Sequence, residues 1–193
     1  FIYNPIENGD GISCDIKAKQ LISVGRLTYQ KGFDMLCEIA KEVLKDNPDW
    51  KWIILGDGED KEKLESKIKE YNLQGKLILK GKVSNVEDYY KNSSLYVMTS
   101  RFEGLPMTLL EAKSYKLPIV SFNCLTGPSE IVRNNINGFL IETGNVAAMV
   151  NKIGILLSDI NKREDFSNKS NLDIEKFRLK PIVDKWENIL INL

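Results

Sequence analysis

The sequence contains no histidine. That absence removes a Ser-His-Asp or Cys-His site, and any histidine metal ligand, from the chemistry open to the chain. Cysteine is scarce as well: Cys14, Cys37 and Cys124 are scattered, odd in number and without metal-ligand spacing. They read as reduced thiols of a cytosolic protein. Net charge is lacking too. The 27 basic residues balance 27 acidic ones, so no polybasic surface calls for nucleic acid. No apolar run approaches a membrane span, no signal peptide opens the chain, and there are no repeats or low-complexity tracts. The first residue is Phe1 rather than Met, which leads us to expect a fragment of a longer protein. What is present is ordinary for a soluble protein: 193 residues, 42% hydrophobic and 28% charged, enough for one core, one domain and a tail.

Read in order, short apolar runs alternate with helical patterns. Residues 1–19 are polar and turn-rich (Tyr3-Asn-Pro-Ile6, Asn8-Gly-Asp-Gly11) and read as a connector. Strands are expected at Gln20 to Val24, Trp50 to Leu55, Lys76 to Lys80, Leu95 to Met98, Leu117 to Phe122 and Gly138 to Ile141. The helical patterns run over Met35 to Leu44 (stopped by Asn47-Pro48), Glu59 to Tyr71, Val86 to Lys91, the segment after Gly104, Gly127 to Val132 and Val146 to Leu157. From Lys162 the tail is polar, then amphipathic from Phe177 onward. Strands alternating with helices mean crossover units and an α/β fold with a parallel sheet of about six strands. Ligands of such sheets lie outside the carboxyl ends of the strands.

At one of these ends lies Thr99-Ser-Arg-Phe-Glu-Gly-Leu-Pro-Met-Thr-Leu-Leu-Glu-Ala112. Gly104 reads as the N-cap of the helix that follows, with Pro106 in its first turn, where a missing N–H is harmless. Glu103 and Glu111 frame the turn with seven residues between them. Pro106 to Glu111 spans roughly 7–8 Å of helix. Between the carboxylates lie free helical N–H groups, an anion site. The arrangement suits an elongated ligand with phosphate in the middle and hydroxyls at both ends.

Other loops at strand ends add candidates. Arg26 follows Gly25, and Lys31 precedes Gly32, placing two cations where phosphate would lie. Gly56-Asp57-Gly58 lacks the full dinucleotide fingerprint and is read equally as a turn. Lys82-Val83 offers backbone beside an apolar residue for a nucleobase, or a plain turn. Glu130 stands at a helix start, where it complements the helix dipole without any further role.

Taken together, Ser23-Val-Gly-Arg26, Lys31-Gly32, Leu55-Gly-Asp-Gly58, Glu103-Gly-Leu-Pro-Met-Thr-Leu-Leu-Glu111 and Asn137-Gly-Phe-Leu140 resemble the retaining nucleotide-sugar glycosyltransferases of the GT-B fold, family four. The resemblance runs from about Tyr3 to Leu157. It implies the second of two Rossmann-like domains, the one that binds the donor. Residues 1–19 would then be the interdomain linker, 20–160 a three-layer nucleotide-sugar-binding domain, and 161–193 helices crossing back to an amino-terminal acceptor-binding domain.

Carried over by position, Arg26 and Lys31 would hold the donor diphosphate together with backbone of Gly104, Leu105, Pro106, Met107 and Thr108. Glu103 would lie at the donor sugar as the catalytic residue, and Glu111 would hydrogen-bond the ribose hydroxyls. Gly56, Lys82 and Val83 would meet the nucleobase. No cofactor and no metal are implied, since cations and a helix end neutralise the leaving group. The Thr126-Gly-Pro-Ser-Glu-Ile131 run is similar to bacterial capsule and lipopolysaccharide enzymes that use UDP-sugars. The resemblance thus implies hexose transfer from a UDP-sugar to a glycan or lipid-linked acceptor. It implies a cytoplasmic setting, peripheral to the inner face of the membrane, with membrane contact through the other domain. The alternatives are a nucleotide-sugar-binding module serving a separate acceptor-binding polypeptide, and a sugar-nucleotide epimerase of the same fold. Missing histidine and the paired glutamates argue against the epimerase.

Overall fold

The structure, a computed structural model, describes residues 3–6 and 12–191. The Asn8-Gly-Asp-Gly11 turn expectation lies outside the described residues. Six strands, β1 (Gln20–Val24), β2 (Lys51–Leu55), β3 (Leu77–Gly81), β4 (Leu95–Met98), β5 (Ile119–Phe122) and β6 (Gly138–Ile141), form one sheet in the order β3-β2-β1-β4-β5-β6. All five pairings are parallel. Because both faces are covered, the inner strands are apolar almost throughout. Their alternate residues still divide cleanly between two cores.

One face carries α1 (Phe33–Asp46), α2 (Lys61–Glu70) and α6 (Val146–Ser158), packed on Leu21, Trp52, Ile54, Val97, Val120 and Phe122. The other carries α3 (Val86–Lys91), α4 (Met107–Ser114) and α5 (Pro128–Ile131), packed on Ile22, Ile53, Leu55, Tyr96 and Ile119. The result is a three-layer α/β domain of Rossmann-like form. Inside it, the Trp52 Nε1–H donates to Ser23 Oγ at 3.0 Å, and Ser23 donates to Val97 O at 2.6 Å. One buried serine therefore ties three adjacent strands.

The tail is more ordered than its polar sequence indicates. Asp159 accepts from Lys162 N at 3.0 Å and caps α7 (Ile160–Asn168). The buried Phe166 of that helix meets Phe139 at 5.0 Å between ring centroids. A following 3-10 turn (Ile174–Phe177) buries Ile174 and Phe177 in the second core. The Ile6 N–H donates to Phe177 O at 2.9 Å, and the Tyr3 ring lies 4.8 Å from that of Phe177, so the start of the chain is fastened to its tail. The last helix, α8 (Leu179–Ile191), buries Ile182 and leaves Val183, Trp186 and Leu190 exposed.

One buried charge stands out. Lys113 on α4 is 1% exposed, and its Nζ donates to Ile131 O at 2.7 Å. Burial pushes its pKa down from 10.5 to about 8. Between those values the unfolded chain binds the proton and the folded chain does not, so this lysine adds stability as pH rises. Lys113→Met should therefore be more stable relative to wild type at pH 7 than at pH 10, the gap narrowing by about 2 kcal/mol. Urea unfolding at both pH values measures the gap. Parallel pH profiles would contradict the assignment.

Candidate functional site

The strand order reverses between β1 and β4, and there the loop after each strand faces the other across a crevice. The loop after β1 closes in a 3-10 turn, Tyr29–Lys31, and leaves it through Gly32 at φ 66°. A Cβ on Gly32 would lie 2.2 Å from Thr99 O, so only glycine permits this approach. Thr99 Oγ1 donates to Lys31 O at 3.0 Å. Arg101 completes the clamp. Its guanidinium holds both Asp34 oxygens at 2.8 and 2.7 Å, donates to Tyr29 O at 2.7 Å and lies 4.0 Å over the Tyr29 ring. That bidentate pair keeps the Asp34 carboxyl below its usual range. Sequence reasoning gives Arg101 no role. The partners are 67 positions apart, and no spacing signal marks them.

Across this clamp Lys31 Nζ meets Glu103 Oε1 at 2.6 Å, with side chains only 17% and 7% exposed. Ser100 Oγ donates to the same oxygen at 2.6 Å. Two residues picked out separately in the sequence are thus one ion pair. The loop after β5 supports them from the far side. Thr126 Oγ1 donates to Glu103 O, and Gly127, at φ 93°, packs where a Cβ would lie 2.4 Å from Pro106 Cδ. Glu130 acts elsewhere, accepting from the Tyr3 hydroxyl at 2.6 Å.

The start of α4 corrects the sequence expectation. Pro106 is the N-cap and Met107 the first helical residue, whereas the sequence pattern places the cap at Gly104 with Pro106 inside the first turn. A proline disfavours helical geometry in the residue before it, so Leu105 cannot begin the helix. The Pro106 carbonyl accepts from Leu109 N at 2.9 Å. The first-turn N–H groups of Met107 and Thr108 have no intrahelical partner, as at any helix start. Gly104 and Leu105 form the approach to that end. One turn further, about 6 Å along the axis, stands Glu111. Its Oε2 accepts from the Tyr90 hydroxyl at 2.8 Å.

Beside the crevice is an open, mainly apolar cavity of about 320 Å³, lined by Val24, Arg26, Leu55, Gly56, Lys82 and Val83 among others. The three residues read as nucleobase contacts do meet there. Arg26 lines this cavity, while Lys31 faces Glu103, so the two cations occupy different parts of the site. Gly56, at φ 139°, stacks on the neighbouring loop where a Cβ would lie 1.8 Å from Gly25 O. What the structure gives Gly56 is a role in loop packing.

Residues 14–172 match the family model described as glycosyl transferases group 1. The chain belongs to that family. It is similar to the amylovoran biosynthesis glycosyltransferase AmsD of Erwinia amylovora, 37% identical over 90% of this chain and 48% of AmsD. The chain spans between a fifth and about half the length of the curated relatives it matches. Among solved structures, a point variant of S. aureus TarM in complex with fondaparinux, alpha-GlcNAc-glycerol and UDP superposes with a TM-score of 0.86. Its identity to this chain is 31%, over 97% of this chain and 37% of TarM. The carboxyl-terminal domain of the Francisella tularensis group 1 protein LpcC is also similar, at TM-score 0.76 and 25% identity. There the match covers 92% of this chain and 97% of that one. The unit described here therefore corresponds to a domain solved by itself.

The clamp yields a direct test of what places the ion pair. Gly32→Ala forces a Cβ against Thr99 O in a left-handed backbone and should cost about 1–3 kcal/mol. Thermal unfolding should show a fall in Tm of several degrees. An unchanged Tm would mean the two loops are not held as described.

Proposed function

We propose that this chain is the donor-binding domain of a retaining glycosyltransferase. It takes a hexose from a UDP-sugar to a glycan or lipid-linked acceptor in bacterial surface polysaccharide synthesis. The observation that carries the reading is the grouping of Glu103, Lys31, the first N–H groups of α4 and Glu111 beside the apolar cavity that Arg26 lines. A nucleoside diphosphate-sugar fits that order of chemistry. The base enters the cavity, the ribose meets Glu111, the diphosphate meets Arg26 and the helix start, and the sugar reaches Glu103. TarM, solved with UDP and alpha-GlcNAc-glycerol, supports the nucleotide.

In the reaction the bond from the anomeric carbon to the diphosphate oxygen breaks, and the oxygen keeps the electron pair. Lys31, Arg26 and the α4 N–H groups stabilise that charge. The acceptor oxygen bonds to the anomeric carbon on the same face and passes its proton to the departing phosphate. We assign no metal to this step, since the two cations and the helix start do that work. The acceptor is assigned to an amino-terminal domain of the same protein. Among the described residues no helix is long and apolar enough to cross a membrane, and we assign any contact with the membrane's inner face to that other domain.

Calorimetry with UDP, GDP and ADP tests the donor, with UDP expected to bind tightest in the presence of a chelator. Glu111→Ala should weaken UDP about tenfold to a hundredfold, the worth of a charge-assisted hydrogen bond. Glu103→Ala frees Lys31 and should leave UDP affinity undiminished while removing the added affinity for the UDP-hexose. Equal losses of UDP binding in both variants would overturn this division of roles. Failure of every nucleotide to bind at millimolar concentration would overturn the site.

A further inference from the structure

Glu111 can read a ligand only if something aims its carboxylate, and the structure supplies a candidate that no motif marks. Tyr90 on α3 is 2% exposed, and its hydroxyl donates to Glu111 Oε2 at 2.8 Å. Its ring is stacked on that of Tyr115, with centroids 5.3 Å apart and planes 19° apart, and lies 6.2 Å from that of Tyr96. The phenol is therefore fixed by packing on two sides. Burial, with the nearby Tyr96 and Glu111, holds its pKa well above the ordinary range, so the hydroxyl keeps its proton and remains a donor. Glu111 itself is half-buried, and its side chain makes no other hydrogen bond among the described residues. A carboxylate accepts about four hydrogen bonds. One phenol bond leaves capacity for a pair of ligand hydroxyls while removing the rotation that would scatter them.

We propose that Tyr90 is the positioning residue for Glu111, and that through it the buried tyrosine cluster sets selectivity for a nucleotide bearing ribose hydroxyls over a deoxy nucleotide. This rests on the reading that Glu111 meets the ribose. Tyr90→Phe deletes one oxygen and keeps the ring contacts, so it removes the aim without removing the support.

The test is calorimetry on the 193-residue chain with two probes, UDP and 2′,3′-dideoxy-UDP. The proteins are wild type, Tyr90→Phe, Glu111→Gln and the double variant. Wild type should prefer UDP by tenfold or more. Tyr90→Phe should lose about fivefold to tenfold in UDP affinity and nothing for the dideoxy nucleotide. Added to Glu111→Gln it should change neither. A purely structural role would weaken both probes equally, and that result would overturn the proposal. So would a wild-type preference retained in Tyr90→Phe but abolished by Glu111→Gln, which leaves the ribose reading standing. Equal binding of the two probes by wild type would overturn the ribose reading and the proposal with it.

Discussion

The contact between Gly32 and the Thr99 carbonyl is the constraint from which the geometry of the site follows. A parallel sheet whose order reverses beside its first strand must bring the loops after β1 and β4 together, but nothing in that topology sets how closely. The absence of a Cβ at Gly32 sets it, and the Arg101–Asp34 pair locks it. With the loops at that separation Lys31 reaches Glu103. The start of α4 then stands beside the pair, and the cavity opens next to it between Arg26 and Val83. A larger residue at position 32 would part these groups without touching any of them.

The ion pair has a further consequence for the chemistry. Lys31 and Glu103 are largely removed from solvent, and an ion pair in such a place gains little over its desolvation unless it is fully bonded. Ser100 provides one additional bond. In the proposed reading, a diphosphate bringing two negative charges would compete for Lys31, and a sugar hydroxyl would then take the lysine's place on Glu103. The proposed donor as a whole would thus match the pair, whereas the nucleotide alone would satisfy only one side of it.

What the sequence reveals depends on where its signals are local. The strands are legible because burial on both faces leaves apolar runs such as Trp52-Ile-Ile-Leu55, and glycines and prolines punctuate the loops. The start of α4 is misplaced because Gly104 and Pro106 are both helix-start residues, and only the backbone restriction before proline orders them. Helix α7 is hidden by a polar composition; its order rests on the Asp159 cap and on Phe166, whose partner Phe139 lies far away in sequence. Arg101, Tyr90 and Lys113 carry no signal for a related reason. Their roles are pair properties created by the fold, and one residue of each pair is unremarkable alone. The glutamates and Lys31 are legible in the sequence, but the contact between Lys31 and Glu103 is not.

Binding of a diphosphate where the loops after β1 and β4 meet the start of α4 is tested most directly by backbone amide shifts. These are read from a ¹H–¹⁵N spectrum during titration with UDP. The largest changes should fall at Met107 and Thr108, with further changes along Gly25 to Gly32 and at Val83. Changes confined to the opposite edge of the sheet, or saturation with Met107 and Thr108 unmoved, would contradict diphosphate binding at that place.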